Sequence, residues 1–387
     1  MKSVGYSSVF AGAVKPVAST GGQIMPPIMG AAAFIMAEFL GVPYIEIAKA
    51  AIFPALFYYF ALFMAVDFRA AKIGLRGLSR DRLPNLLNTL KTGWILLAPI
   101  FGLIYLLVQG YSPQKSVALS IVVLIIVSMF SKKTRLTPKK FLEAIAEAGI
   151  SATTVAVACV AAGIIVGITT MSGLGLKFTG IVFEVSRGIL PIALILASLA
   201  SLVLGMGIPT TANYIIMATL ITPALIKLMV EDTHLILPHM FVFYYGILAD
   251  ITLPVMLAVF AGAAIARAPT MKVGIESTKL AIPGHTLPFM FIFHPELISW
   301  NFTTDLNLAK LGFFLLLATA MSIGVAGGMQ GYLIRETKFY ERMMLLAGSF
   351  MIIPANYIIN LAGLALIGVT LVSQILFKQQ KAIVLEE

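Results

Sequence analysis

Charge is scarce in this chain. Of its 387 residues, 11% are Asp, Glu, Lys or Arg and 59% are hydrophobic, whereas soluble domains are about 25% charged. That balance excludes a soluble globular protein. Cysteine is nearly absent too: Cys159 stands alone, excludes an internal disulfide and reads as a small packing residue. The four histidines (His234, His239, His285, His294) show no metal-ligand spacing and read as loop or interface residues. No Gly-rich phosphate loop ending in Lys-Ser/Thr occurs, and no HExxH, CxxC or GxSxG. An ATP-driven pump or an intramembrane hydrolase needs a motif of that kind, so the chain reads as a non-enzyme. Residues 1–16 lack a signal peptide's charged, apolar and small-residue order. The net charge of +10 is not a basic stripe with interleaved aromatics, so no nucleic-acid partner is expected.

What is there is a run of apolar segments of membrane-crossing length, about 20 residues each. Candidate spans are Pro16 to Leu40 (broken), Ile47 to Val66, Gly93 to Gln109, Lys115 to Phe130, Ser151 to Met171, and Gly188 to Met206 joined to Thr210 to Met229. Pro238 to Ala266 (broken), Ser277 to Ile298, Ala309 to Tyr332, Arg342 to Ile358 and Asn360 to Phe377 follow. The fold class is an all-α polytopic membrane protein with about ten or eleven spanning or re-entrant segments. Lys139 to Gly149 reads as a separate helix in the interface. The interval from Gly188 to Met229 is either two full helices or a re-entrant hairpin. Trp94, Tyr111 and Trp300 read as interface anchors, and Gly163xxxGly167 and Gly327xxxGly331 as close-packing candidates.

Basic residues concentrate in Asp67 to Lys91 and Ser131 to Lys140, the loops that the positive-inside rule places in the cytoplasm. Arg267, Lys272, Lys279, Arg335, Lys338, Arg342, Lys378 and Lys381 then fall on the same side, while Glu231 to His234 and Asp305 fall outside. With that topology the first broken span runs outward and the second inward.

The two broken spans also match each other. Aligning Gln23 with Asp250 puts Ile24 on Ile251, Pro27 on Pro254, Met29 on Met256 and Ala31 on Ala258. Paired interrupted segments in two halves of opposite topology point to the binding site of a secondary transporter. The domain reading is 1–66 as the remainder of a first inverted repeat, 67–149 as basic loops, two scaffold helices and the interfacial helix, 150–298 as the second repeat, and 299–387 as scaffold-like helices.

Three interruptions hold the candidate site residues. Ser19, Thr20, Gly21, Gly22 and Gln23 precede Pro26 and Pro27. Gly205, Met206, Gly207 and Pro209 precede Thr210, Thr211 and Asn213. Asp250 and Thr252 precede Pro254, with a half-helix expected to start near Leu253. A half-helix N-terminus attracts an anion, freed carbonyls suit a hard cation, and a carboxylate deep in a span is a functional hypothesis by default. Gly205, Gly207, Thr211, Asn213 and Asp250 are the candidate sodium ligands. Glu38 sits near the outer end of its span, and Lys15 snorkels from the inner edge.

The segments ASTGGQIMPPIMGAAAFIMAEFLG, LGMGIPTTANYII and FYYGILADITLPVMLAVFAGAAIA together resemble the large permease subunit of TRAP transporters, in particular the fused permeases of the TAXI type. The resemblance runs to about Ile298, and Ala309 to Phe377 resemble the tail of the fused form more loosely. It implies a multi-pass protein of a prokaryotic inner membrane, an importer driven by Na+ or H+, working by an elevator-type motion. It implies as partners an extracytoplasmic solute-binding protein, a small permease subunit or the fused equivalent, and a small organic anion as substrate, plausibly a carboxylate. No cofactor is expected beyond the coupling ion. Two departures stand out. The family's earlier Ser/Gly/Asn-rich hairpin is not found ahead of the segment beginning at Met1, so the chain reads as the latter part of the permease. The later broken helix has Leu253-Pro254 where the family usually has two prolines. A truncated or scaffold-like membrane fragment and, further off, a channel are the alternatives.

Overall fold

The computed structural model describes residues 1–75, 97–130, 135–229, 234–299 and 308–377. Parts of the two basic loops, Glu231 to Thr233, Trp94, Trp300, Asp305, Lys378 and Lys381 lie outside the described residues. Those described are helical, with one isolated bridge between Tyr332 and Glu336 and no strand. The helices are α1 (Ser8–Gly21), α2 (Ala31–Leu40), α3 (Tyr44–Lys72), α4 (Ala98–Val108), α5 (Pro113–Met129), α6 (Pro138–Ser172), α7 (Leu174–Ser186) and α8 (Leu190–Leu204). Then come α9 (Thr210–Leu220), α10 (Thr222–Leu228), α11 (Ile236–Leu248), α12 (Leu257–Ala266), α13 (Thr270–Phe293), α14 (Glu296–Ser299), α15 (Leu308–Gln330), α16 (Phe339–Met351) and α17 (Tyr357–Leu376). Among the described residues α3, α6, α15 and α17 are each long and apolar enough to cross a bilayer, and α9 with α10 forms a further candidate bent by 43°. The protein is an all-α, polytopic membrane protein.

Local chemistry sets the ends. Ser7, Ser112, Thr137 and Asn356 accept backbone N–H groups at the starts of α1, α5, α6 and α17, bonds that satisfy donors otherwise orphaned in a first turn. The Ser7 cap moves the start of the first broken span back to Ser8, so Pro16 lies inside α1. Lys139 to Gly149 is not a separate helix but the beginning of α6. Gly149 alone, at about 1 kcal/mol of helix propensity, does not stop a 35-residue helix. At about 52 Å α6 exceeds a hydrocarbon core of about 30 Å. Gly163 and Gly167 face open space, while Gly327 packs on Tyr332 and Leu333. Helix α7, with its interspersed Lys177 and Glu184, is an element that a search for uncharged apolar runs passes over. The expected Ser277 to Ile298 span is the latter part of α13 and short α14. The histidines are not loop residues throughout: His239 is buried in α11, His285 lies in α13 and His294 is buried just beyond it.

The broken spans are neighbours. α1 packs on α12 with Gly12 against Gly262; a Cβ on Gly262 would lie 2.5 Å from the Gly12 carbonyl and 3.0 Å from Pro16 Cδ. Gly12 also faces Ala266, whereas Pro16 faces Gly262, so the two half-helices run antiparallel. Basic side chains cap helix ends at one end of this bundle. Lys2 Nζ donates to the Ala266 carbonyl at 2.9 Å, Lys72 Nζ to Gln330 at 3.0 Å and Arg342 Nε to Gly328 at 2.9 Å. Cations at helix C-termini meet both the free carbonyls and the negative end of the dipole.

Candidate functional site

Each interruption leaves backbone groups that something must satisfy in an apolar surrounding. At the first, α1 ends at Gly21 and α2 begins after Gly30. Tyr58 and Tyr59 of α3 donate to the Val17 and Ala18 carbonyls at 2.8 and 2.9 Å. Gly21 is what lets them in, since a Cβ there would lie 2.6 Å from the Tyr58 ring. The Tyr44 hydroxyl donates to Pro27 O at 2.8 Å and accepts from Met29 N–H at 3.3 Å. Gln23 folds against Gly30, whose N–H donates to the Gln23 carbonyl at 2.8 Å. Thr20 is buried, Ser19 and Gly22 are exposed, and Gln23, Pro26 and Pro27 are half-buried.

At the second interruption α11 tightens into a short 3-10 turn at Ala249–Ile251, turns through Leu253 to Met256 and restarts at Leu257. The restart is four residues later than expected from Leu253, because Leu253 to Met256 form the non-helical bend. Hydroxyls of the following helix close this break as well. Ser277 Oγ donates to Ile251 O at 2.8 Å, and Thr278 Oγ1 accepts from Leu253 N–H at 3.2 Å. Thr252 is buried and donates to Leu248 O, while Pro254 is exposed. The aligned prolines, Pro27 and Pro254, both follow cis peptide bonds.

The third interruption, 205–209, links α8 to α9, and it meets the second. A Cβ on Gly205 would lie 2.7 Å from Asn213 Nδ2 and 2.8 Å from Ala249 Cβ. Asn213 is fully buried between Gly205 and Gly246, and its Nδ2 donates to the Gly246 carbonyl at 3.1 Å. Its Oδ1 has no partner. The same is true of Asp250 Oδ1, one residue past Ala249, and of Ser201 Oγ, one turn before Gly205, and Tyr244 Oη, two residues before Gly246. Buried polar atoms in native proteins are almost always hydrogen-bonded. The carboxylate oxygen of Asp250 and the amide oxygen of Asn213, on elements that meet at Gly205, have the donor chemistry of a hard cation. Gly207, with φ +72°, and Pro209 are exposed, Met206 and Thr210 half-buried, and Thr211 buried. None of α2, α9 and α12, the half-helices that restart after the breaks, has a side-chain cap.

A family model described as DctM, the DctM component of tripartite ATP-independent periplasmic transporters, matches residues 1–306. The chain belongs to that family. It is a membrane permease component of a TRAP transporter; the family is a transporter family, not an enzyme family, and in general associates with a solute-binding protein and a small subunit. A comparison with curated proteins finds no match.

Of the candidate residues of this permease, the structure brings Gly205, Asn213 and the Ala249–Asp250 turn together, and joins the first break to them through the packing of α1 on α12 and on that turn. Gly246, Ser201, Tyr244 and the clamping residues Tyr44, Tyr58, Tyr59, Ser277 and Thr278 are additions. Their only sequence signal is a polar or small residue within an apolar run.

Proposed function

We propose that this permease imports a small organic anion, a carboxylate in our reading, by secondary transport driven by Na+ or H+, with the extracytoplasmic solute-binding protein delivering the substrate. The observation that carries the proposal is the pair of orphaned buried oxygens, Asn213 Oδ1 and Asp250 Oδ1, on elements that meet at Gly205. A cation held there would complete their bonding and offset the Asp250 charge. The uncapped N-termini of α2, α9 and α12 supply N–H groups and positive dipole ends for the substrate carboxylate. Further support comes from the antiparallel contact of the broken helices and from the basic caps gathered at one end, which the positive-inside rule assigns to the cytoplasm. The TAXI-type fused permease, the prokaryotic inner membrane and an elevator-type movement of the broken helices and hairpin against a scaffold belong to the same proposal.

The test is uptake of radiolabelled small carboxylates into vesicles carrying the transporter with its binding protein, under a sodium gradient, a proton gradient or neither. Saturable uptake that requires one gradient and is lost in Asp250→Asn supports the proposal. Uptake indifferent to both gradients contradicts it.

A further inference from the structure

A cavity of about 330 Å³ lies between the α2–α3 turn and the α4–α5 turn, the size of a small-ligand pocket. Phe34, Tyr44 and Tyr111 give it aromatic walls, Ser112 and Gln114 give it polar edges, and Glu38 gives it one carboxylate. Among the described residues no Lys or Arg lines it. Lys115 stacks on Tyr111 with its ammonium 4.4 Å from the ring centroid, so that ring already receives a positive charge. The cavity is also wired to the first break. The Phe34 and Tyr44 rings stack with centroids 4.2 Å apart, and the Tyr44 hydroxyl bridges Pro27 O and Met29 N–H.

We infer that this cavity receives an arginine side chain from an extracytoplasmic partner protein. A guanidinium forks onto a carboxylate with two parallel bonds and stacks on aromatic faces, which an ammonium does less well. Glu38, exposed at the rim, attracts a cation, and the three rings favour a planar one. Both turns belong to the outer side in the orientation given under the proposed function, and the inference rests on that reading. Docking there presses on the Phe34–Tyr44 pair and so on the backbone at Pro27 and Met29, which places partner binding in direct contact with the first interruption.

The test uses the complete transporter in right-side-out vesicles, with Gln114→Cys in a Cys159→Ser background and an impermeant maleimide added outside. The probes are N-acetyl-arginine amide and its neutral counterpart N-acetyl-citrulline amide. The arginine compound should slow labelling by about tenfold at ten times its dissociation constant, the citrulline compound should not, and Glu38→Gln should abolish the protection. Labelling at Ile28→Cys, beside the break, should respond to the arginine compound with Tyr44 present and not in Tyr44→Phe. Equal protection by citrulline, no protection by either compound, or protection that survives Glu38→Gln overturns the arginine site. Labelling of Gln114→Cys only after the vesicles are opened overturns instead the orientation, and with it the extracytoplasmic partner.

Discussion

Two carboxylates in this molecule, Glu341 and Asp250, are met in opposite ways. In the C-terminal helices, Glu341 is completely covered and fully engaged. Arg335 grips both carboxylate oxygens at 2.7 and 3.1 Å, the Lys338 N–H donates at 2.8 Å, and Gln374 and Ser373 donate from α17 at 2.7 and 3.3 Å. Where the 205–209 link meets the second break, Asn213 and Asp250, on elements that meet at Gly205, each keep an oxygen with no partner. A satisfied network rigidifies a structure, whereas an unsatisfied one is expensive unless something else completes it. The bonds to Glu341 therefore join α16 to α17, and the cation we propose would complete the second set.

The sharpest break of that contrast comes from changing the second set. Asn213→Ala and Asp250→Asn should reduce ion-dependent uptake by about 100-fold, the scale of about 3 kcal/mol, with the protein still in the membrane at normal levels. Thr211→Ala, two residues earlier in α9 and also buried, should lower it less. Gradient-dependent uptake at the native rate in Asn213→Ala would remove the site from α9.

Glu341→Gln should do the reverse, leaving ion dependence intact while destabilising the C-terminal helices. Removing one partner of a buried ion pair costs about 3–5 kcal/mol, read as a lower Tm. Glu341 lies at the basic end, in the first turn of its helix. Burial pushes its carboxyl up, but the Lys338 N–H, Arg335 and Gln374 outweigh that and hold it below the ordinary value of 4.5. A depressed carboxyl contributes stability that is complete above the ordinary value and is lost as pH falls through its own lower one. The Tm of the native protein should therefore fall with acidification in that window, and that part of the fall should vanish in Glu341→Gln.

Two glycines in one link sharpen the comparison further. Gly205→Ala drives a Cβ into Asn213 and Ala249, whereas Gly207 has open space around it and only its φ of +72° to object. Ion-dependent uptake should fall at least several-fold more in Gly205→Ala than in Gly207→Ala, whose left-handed backbone costs about 1 kcal/mol. Smallest of all, Tyr58→Phe and Ser277→Ala should each lower stability by about 1 kcal/mol, the scale of one polar contact in a membrane protein. Their similarity would show that both breaks rely equally on the helix that follows.

The backbone interruptions were legible in the sequence, because Gly21-Gly22, Pro26-Pro27, Gly205, Pro209 and Pro254 are chemically conspicuous within apolar runs. Asp250 and Asn213 stood out for the same reason. What closes the breaks did not. Tyr58 and Ser277 reach backbone carbonyls far away in the sequence, and a hydroxyl on an apolar helix announces no partner. Gly246 matters only because Asn213 lies against it. The change from charged to apolar after Gly149 marks the edge of a membrane segment, not the end of a helix, and so α6 was divided where the backbone continues. Charged positions within Leu174–Ser186 hid α7 by the same confusion of polarity with structure.

A cation held by the orphaned oxygens of Asn213 and Asp250, as we propose, would stabilise the folded protein. Thermal unfolding of the purified protein in sodium chloride and in choline chloride at equal ionic strength tests it without any substrate or partner. Sodium at about 100 times its dissociation constant should stabilise the native protein by about 2.7 kcal/mol, raising Tm above the choline value, with no such rise in Asn213→Ala or Asp250→Asn. The same sodium-dependent rise in the native protein and in both variants would contradict the account.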